Sequence, residues 1–200
     1  MFGAVHIAGI ITGTVAKDSW PSLMQNFGFS LPALREGHLY DLWVGLLFAS
    51  RPGVHVTMLG MLLLGVGTLE YRRGTKSALV GFLLLGPVAS IITMLILWPF
   101  DVFGIAGVKP YLYPPDMGSS SASMVCWGLF LGAETGLWRN LMLGATILTL
   151  ALLMAFSTQA FGADHMVAFL FGLLVSVALI RTRLWYYKSN HKDGEYSSDG

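Results

Sequence analysis

Gly118-Ser119-Ser120-Ser121-Ala122-Ser123 sets four hydroxyl side chains at the mouth of an apolar run, and His55 and His165 stand at the start of two other apolar runs. Serine becomes a nucleophile only when a base takes its proton. Histidine is the common base, and the pair needs a hydrogen bond of about 2.6–3.2 Å. An ionisable side chain within an apolar segment is costly and usually turns to the interior of a helix bundle. Each residue also has a plainer role. Serine is a preferred cap at a helix start, and a histidine there meets interfacial water. Three such positions in one chain are harder to explain in that way.

The elements that must position these residues follow from composition. The chain of 200 residues is 54% hydrophobic and only 12% charged, with a mean hydropathy of +0.65, which marks an integral membrane protein. Apolar runs of bilayer length fall at 54–71, 78–100, 140–157 and 164–180 and predict four spanning helices. A fifth run, SMVCWGLFLGA at 123–133, nearly spans if the small residues from Gly118 belong to it. Gly and Ser permit close helix approach, so this short helix belongs at the centre of a bundle. A sixth candidate, FGAVHIAGIITGTVA, opens the chain; without a basic start it fits a cleaved signal peptide poorly. Pro87 predicts a kink in the third helix.

The expected organisation is one membrane domain over residues 1–188. Within it, 17–53 forms a long membrane-associated first loop, with Trp20, Tyr40 and Trp43 at headgroup level. Residues 189–200 read as a polar, disordered tail. With six alternating helices, Arg72, Arg73, Lys76, Arg139, Arg181, Arg183, Lys188 and Lys192 lie on one side, against Lys17, Arg35, Arg51 and Lys109 on the other. The positive-inside rule then places both termini in the cytoplasm. On that topology His55, the serine cluster and His165 share the outer end of three helices.

Other chemistries find no support. A net charge of +1 gives no basic field for nucleic acid, and the single Cys126 cannot form an internal disulfide. P-loop and H-E-x-x-H patterns are absent, GVGTLE misses the dinucleotide fingerprint at its last glycine, and His6, His38 and His191 are too scattered for a metal cluster. No cofactor is expected. Asp116 and Asp164 flank the two key helices at their N-termini, where a carboxylate suits the helix dipole; the alternative that Asp164 raises the pKa of His165 or orients it stays open.

HVTMLGMLLLGVGTLEYRRG, at 55–74, resembles the second helix of the rhomboid intramembrane serine proteases, which opens with His and closes with a Glu and a Gly four residues apart; His55, Glu70 and Gly74 match. The serine segment resembles that family's G-x-S helix, with Gly118, Ser120, Ser121 and Gly128 in register. His165, Ala168 and Gly172 reproduce its last helix, whose small residues pack on the serine helix. The resemblance spans about residues 40–180, in the family's order. It implies a polytopic six-helix bundle, all α, with a short central serine-bearing helix. It also implies a Ser120–His165 catalytic dyad, His55 at the oxyanion, and transmembrane proteins as substrates in the lipid bilayer.

Departures from the pattern leave the activity open. Leu59 occupies the place of an oxyanion-binding Asn, Val44 follows Trp43 where the family has Arg, and the interval from His55 to Glu70 is one residue short. The aromatic expected four residues after the nucleophile is Met124 if Ser120 attacks, but Trp127 if Ser123 does. Ser123 is therefore the alternative nucleophile, although it lacks the glycine before it and is followed by bulky Met124. Ser119 and Ser121 point to other faces as packing or capping residues. Two functions stand: a rhomboid-type protease cleaving near the outer membrane face, and an inactive rhomboid-like protein that binds transmembrane segments or serves as a subunit of a membrane complex.

Overall fold

The structure is a computed structural model and describes residues 2–13, 21–49, 52–156 and 161–192. The end of the expected first helix, Trp20 and the last eight residues of the expected tail, 193–200, lie outside these. Among the described residues the protein is helical throughout, and its only β pairing is an isolated bridge between Phe29 and Asp116.

Among the described residues, four helices are long and apolar enough to cross a membrane. In chain order, α1 is Phe2–Thr12, α2 Pro21–Phe27, α3 Leu31–Arg35 and α4 Asp41–Val44, which runs on into a tight turn at Gly45–Leu47. The rods α5, Pro52–Arg73, and α6, Thr75–Val102, meet at Gly74, whose φ of +82° only glycine takes readily. After α7, Lys109–Leu112, come α8, Ser120–Ala133, α9, Leu137–Phe156, and α10, Phe161–Lys192. The apolar part of α10 is Gly162–Ile180; the helix then continues into the segment expected as tail. At about 1.5 Å per residue, the 14 residues of α8 reach roughly 21 Å, short of a hydrocarbon core of about 30 Å.

Short as it is, α8 is the best-covered helix. Ser121 to Gly128 are all buried, whereas on α9 only Leu150 is. Glycines on three neighbours make this possible. A Cβ at Gly65 of α5 would run into the carbonyl of Ser123, and one at Gly86 of α6 would stand 2.5 Å from Ala122 Cβ. Gly172 of α10 lies against the carbonyl of Val125, and Gly128 of α8 against that of Phe169. With large side chains excluded, α8 and α10 approach backbone to backbone, which is how helices associate without a hydrophobic drive between them.

Two arginines close the far end of α8. Arg73 Nη2 donates to the Ala133 carbonyl at 2.9 Å and Arg139 Nε to that of Leu131 at 3.2 Å, satisfying acceptors that a helix C-terminus leaves open. Arg72 adds an ion pair with Glu134 at 3.5 Å, and Thr75 donates to Glu70 Oε1 at 2.8 Å across the Gly74 turn.

Pro87 does not act alone in α6. The helix opens into a π turn at Gly81–Leu85 just before it, and α5 carries another at Leu62–Gly67. Proline has no N–H for the carbonyl four residues back, Leu83, and widening the helix there relieves the crowding of its ring.

The segment from Phe29 to Leu46 packs along the bundle. Phe29, Leu31 and Leu42 form a buried cluster with Met94 of α6 and Leu112 of α7, while Leu46 and Ala49 join Met58 and Leu62 of α5.

Candidate active site

Ser120 is the first residue of α8, and the loop before it is held in place. Asp116 exchanges two backbone hydrogen bonds with Phe29, 2.8 and 2.9 Å, and Gly118 N–H donates to the Gly45 carbonyl at 3.0 Å. Gly118 sits at φ +144°, a conformation that strains other residues, and a Cβ there would lie 3.2 Å from Met58 Sδ. A glycine two residues before the serine is thus a backbone requirement.

The four serines of the cluster have distinct surroundings. Ser120 is half-buried and shares a helical stripe with Met124 and Trp127. Ser123 is 1% exposed, and its hydroxyl donates to the Ser119 carbonyl at 2.8 Å. Ser119 is fully buried, with no hydrogen-bond partner for Oγ among the described residues, and Ser121 is buried.

His165 lies in the first turns of α10, on the helix that faces α8, and is buried. It opens onto an apolar cavity of ≈ 810 Å³ between α5 and α9, walled also by Ser123, Met124, Trp127, Met58 and Leu153. Trp127 Nε1 donates to Thr146 Oγ1 of α9 at 3.0 Å, forming a polar crosspiece in that wall. Of the sequence-derived candidates, the cavity brings together His165 and Ser123. Ser120 stands one turn nearer the loop, off the cavity wall.

His55 is buried, at the start of α5, but it too lies off the wall; Met58, a turn further on, reaches both the cavity and Gly118. Leu59 is half-buried against the Leu46–Ala49–Leu62 cluster, on the same face of α5 as His55.

Asp116 and Asp164 are the residues whose placement the sequence conveys least. Both wall a small cavity with Phe29, Ser90, Thr93, Met94, Leu97 and Tyr111. Asp116 is exposed as a residue while also lining this cavity. Desolvation pushes its carboxyl above the usual carboxylate range, against the opposing pull of His165 and the Met117 amide.

No protein-family model matches this chain, and no curated protein matches it.

Proposed function

We propose that the chain is an intramembrane serine protease of rhomboid type, a six-helix bundle with both termini cytoplasmic. The observation that carries this reading is the meeting of α8 and α10 at glycine-scale separation, with the serine cluster and His165 at the same end of the pair. Parallel helices held that closely define the distance between a nucleophile and a base more rigidly than loops do.

Ser120 is the nucleophile. It follows the one glycine-specific turn in the segment, begins its helix and retains exposure to water, whereas the Ser123 proton is already donated to Ser119. Its Oγ attacks the scissile carbonyl as His165 takes the proton. The C–N bond then breaks as His165 returns that proton to the leaving amine. Water, deprotonated by His165, next hydrolyses the acyl-enzyme. His55 and the backbone N–H groups at the start of α8 face the developing oxyanion. The apolar cavity between α5 and α9 receives a transmembrane segment of the substrate, since its wall is almost wholly hydrocarbon.

A second reading keeps the fold and drops the chemistry: a protein that binds transmembrane segments in the same cavity. Leu59 beside His55, and the absence of both His55 and Ser120 from the cavity wall, favour it. A fluorophosphonate probe applied to the detergent-solubilised protein separates the two. The protease reading requires a labelled band that disappears in Ser120→Ala and His165→Ala but survives Ser123→Ala. Labelling lost only in Ser123→Ala moves the nucleophile one turn, and no labelling at all favours the binder.

A further inference from the structure

Ser120 is absent from the wall of the apolar cavity, yet a single side chain separates its hydroxyl from that space. The spot where a Cβ of Gly118 would stand is empty because the residue is glycine, and its nearest neighbours are Met58 Sδ at 3.2 Å, Met58 Cγ at 3.7 Å and Ser120 Oγ at 3.8 Å. The thioether and the serine hydroxyl thus face one notch at the start of α8. Of the three residues at this notch, only Met58 also walls the cavity of ≈ 810 Å³. Met58 is fully buried.

The chemistry of that side chain suits movement. Methionine is unbranched, with three rotatable bonds and a polarizable sulfur, whereas a β-branched residue on a helix is locked at χ1. The cavity gives the sulfur somewhere to go, and Met61, Met124 and Met142 on the same wall yield in the same way. The backbone of the notch cannot yield, because the Gly118 N–H is tied to the Gly45 carbonyl at 3.0 Å. His165 already walls the cavity, so withdrawal of Met58 places the Ser120 hydroxyl and the imidazole on one continuous space.

We propose that Met58 is a side-chain gate between the apolar cavity and Ser120. Closed, it shields the hydroxyl from whatever occupies the cavity; swung along the cavity wall, it admits an extended peptide backbone. Small polar molecules reach the half-buried serine from water without passing it. A chain arriving through the cavity must displace it. The catalytic consequence rests on the protease reading, but the gate itself does not. Met58 handles neither the proton nor the attacked bond, so it is a positioning residue that selects by route of entry.

The test uses the full chain in lipid nanodiscs with Ser120→Cys in a Cys126→Ala background, which leaves one thiol. Two methanethiosulfonates are compared: the trimethylammonioethyl reagent, confined to water by its charge, and the dodecyl reagent, which enters from the apolar side. In both, the thiolate attacks the reagent's sulfur, a disulfide forms and methanesulfinate leaves. With an open gate populated at about 0.1–10%, Met58→Ala should speed the dodecyl reaction by about tenfold or more and leave the cationic reagent unchanged. Met58→Ile, similar in volume but stiff at χ1, should slow the dodecyl reaction alone, and it keeps the test decisive if the alanine variant folds poorly. Rates that shift together for both reagents, or that respond to neither substitution, overturn the gate. The fluorophosphonate reaction of the native Ser120 is read separately: its failure overturns the protease reading, while the thiol rates still decide the gate.

Discussion

Trp43 donates its indole N–H to the carbonyl of Leu83 at 2.8 Å, the acceptor that Pro87, four residues further along α6, has no N–H to fill. A loop residue thus supplies a hydrogen bond that the helix itself lacks at this carbonyl. Trp43→Phe should lower stability by about 1–3 kcal/mol, read as a drop in melting temperature in detergent. The cost should shrink in a Pro87→Ala background, where the backbone N–H is restored. Strict additivity in that double-mutant cycle would show that the two residues do not share the Leu83 carbonyl.

Close approach of backbones positions α8, and this can be probed one methyl at a time. Gly65→Ala and Gly172→Ala each push a Cβ into a backbone carbonyl, of Ser123 and Val125 respectively, which cannot swing aside. Each should cost about 1–3 kcal/mol. Gly144→Ala on α9 meets nothing within 4 Å and should instead gain about 0.5–1 kcal/mol from helix propensity. Melting temperatures of the three variants decide it; equal losses at all three positions would mean that α8 is not held by its glycine contacts.

Asp41 gives a pH dependence of stability. Its side chain is only 2% exposed but does not lie deep in the molecule; Oδ1 has no hydrogen-bond partner among the described residues. Burial raises its pKa above the usual 3.8, with His38 opposing. The folded state therefore holds this proton more tightly than the unfolded state. Stability from this group is present at low pH and is lost as pH rises through the window from 3.8 to the folded value. Asp41→Asn removes the charge, so the variant should exceed the wild type at neutral pH, and the gap should close towards about pH 4. A difference that stays constant across that range would refute the linkage.

What the sequence conveys well is whatever hydropathy and residue size encode. Apolar runs locate α5, α6, α9 and α10, and the small residues from Gly118 to Gly132 announce that α8 is crowded by other helices. Ala168 and Gly172, four apart, likewise announce a close contact. The π turns at Leu62–Gly67 and Gly81–Leu85 leave no such trace, because the side chains around them remain uniformly apolar. The meeting of Asp116 and Asp164 on one cavity wall is equally invisible. Each reads locally as a charge at a helix N-terminus, and only the bridge to Phe29 and the packing of α10 bring the two to one cavity. Serine exposure is also a tertiary property: the sequence ranks Ser120 over Ser123 by its flanking residues, whereas the structure separates them by hydrogen bonding and cavity.

Leu59 offers the sharpest test of how far the oxyanion side of the site can be rebuilt. In the resemblance to rhomboid proteases its place belongs to an asparagine, one helical turn from His55. Here it is packed with Leu46, Ala49 and Leu62, a cluster of hydrocarbon with no donor or acceptor to receive an amide. Leu59→Asn should therefore bury an unsatisfied polar group and cost about 1–3 kcal/mol, with Ser120-dependent cleavage unchanged. The comparison needs the wild type, Leu59→Asn and Leu59→Asn/Ser120→Ala in one cleavage assay, with melting temperatures alongside. Removing one oxyanion donor typically costs about 10²- to 10³-fold, so a functional donor at 59 would announce itself as a large gain. Such a gain, abolished by Ser120→Ala, would overturn the packing argument: it would require residue 59 to turn from the Leu46 cluster to the attacked carbonyl.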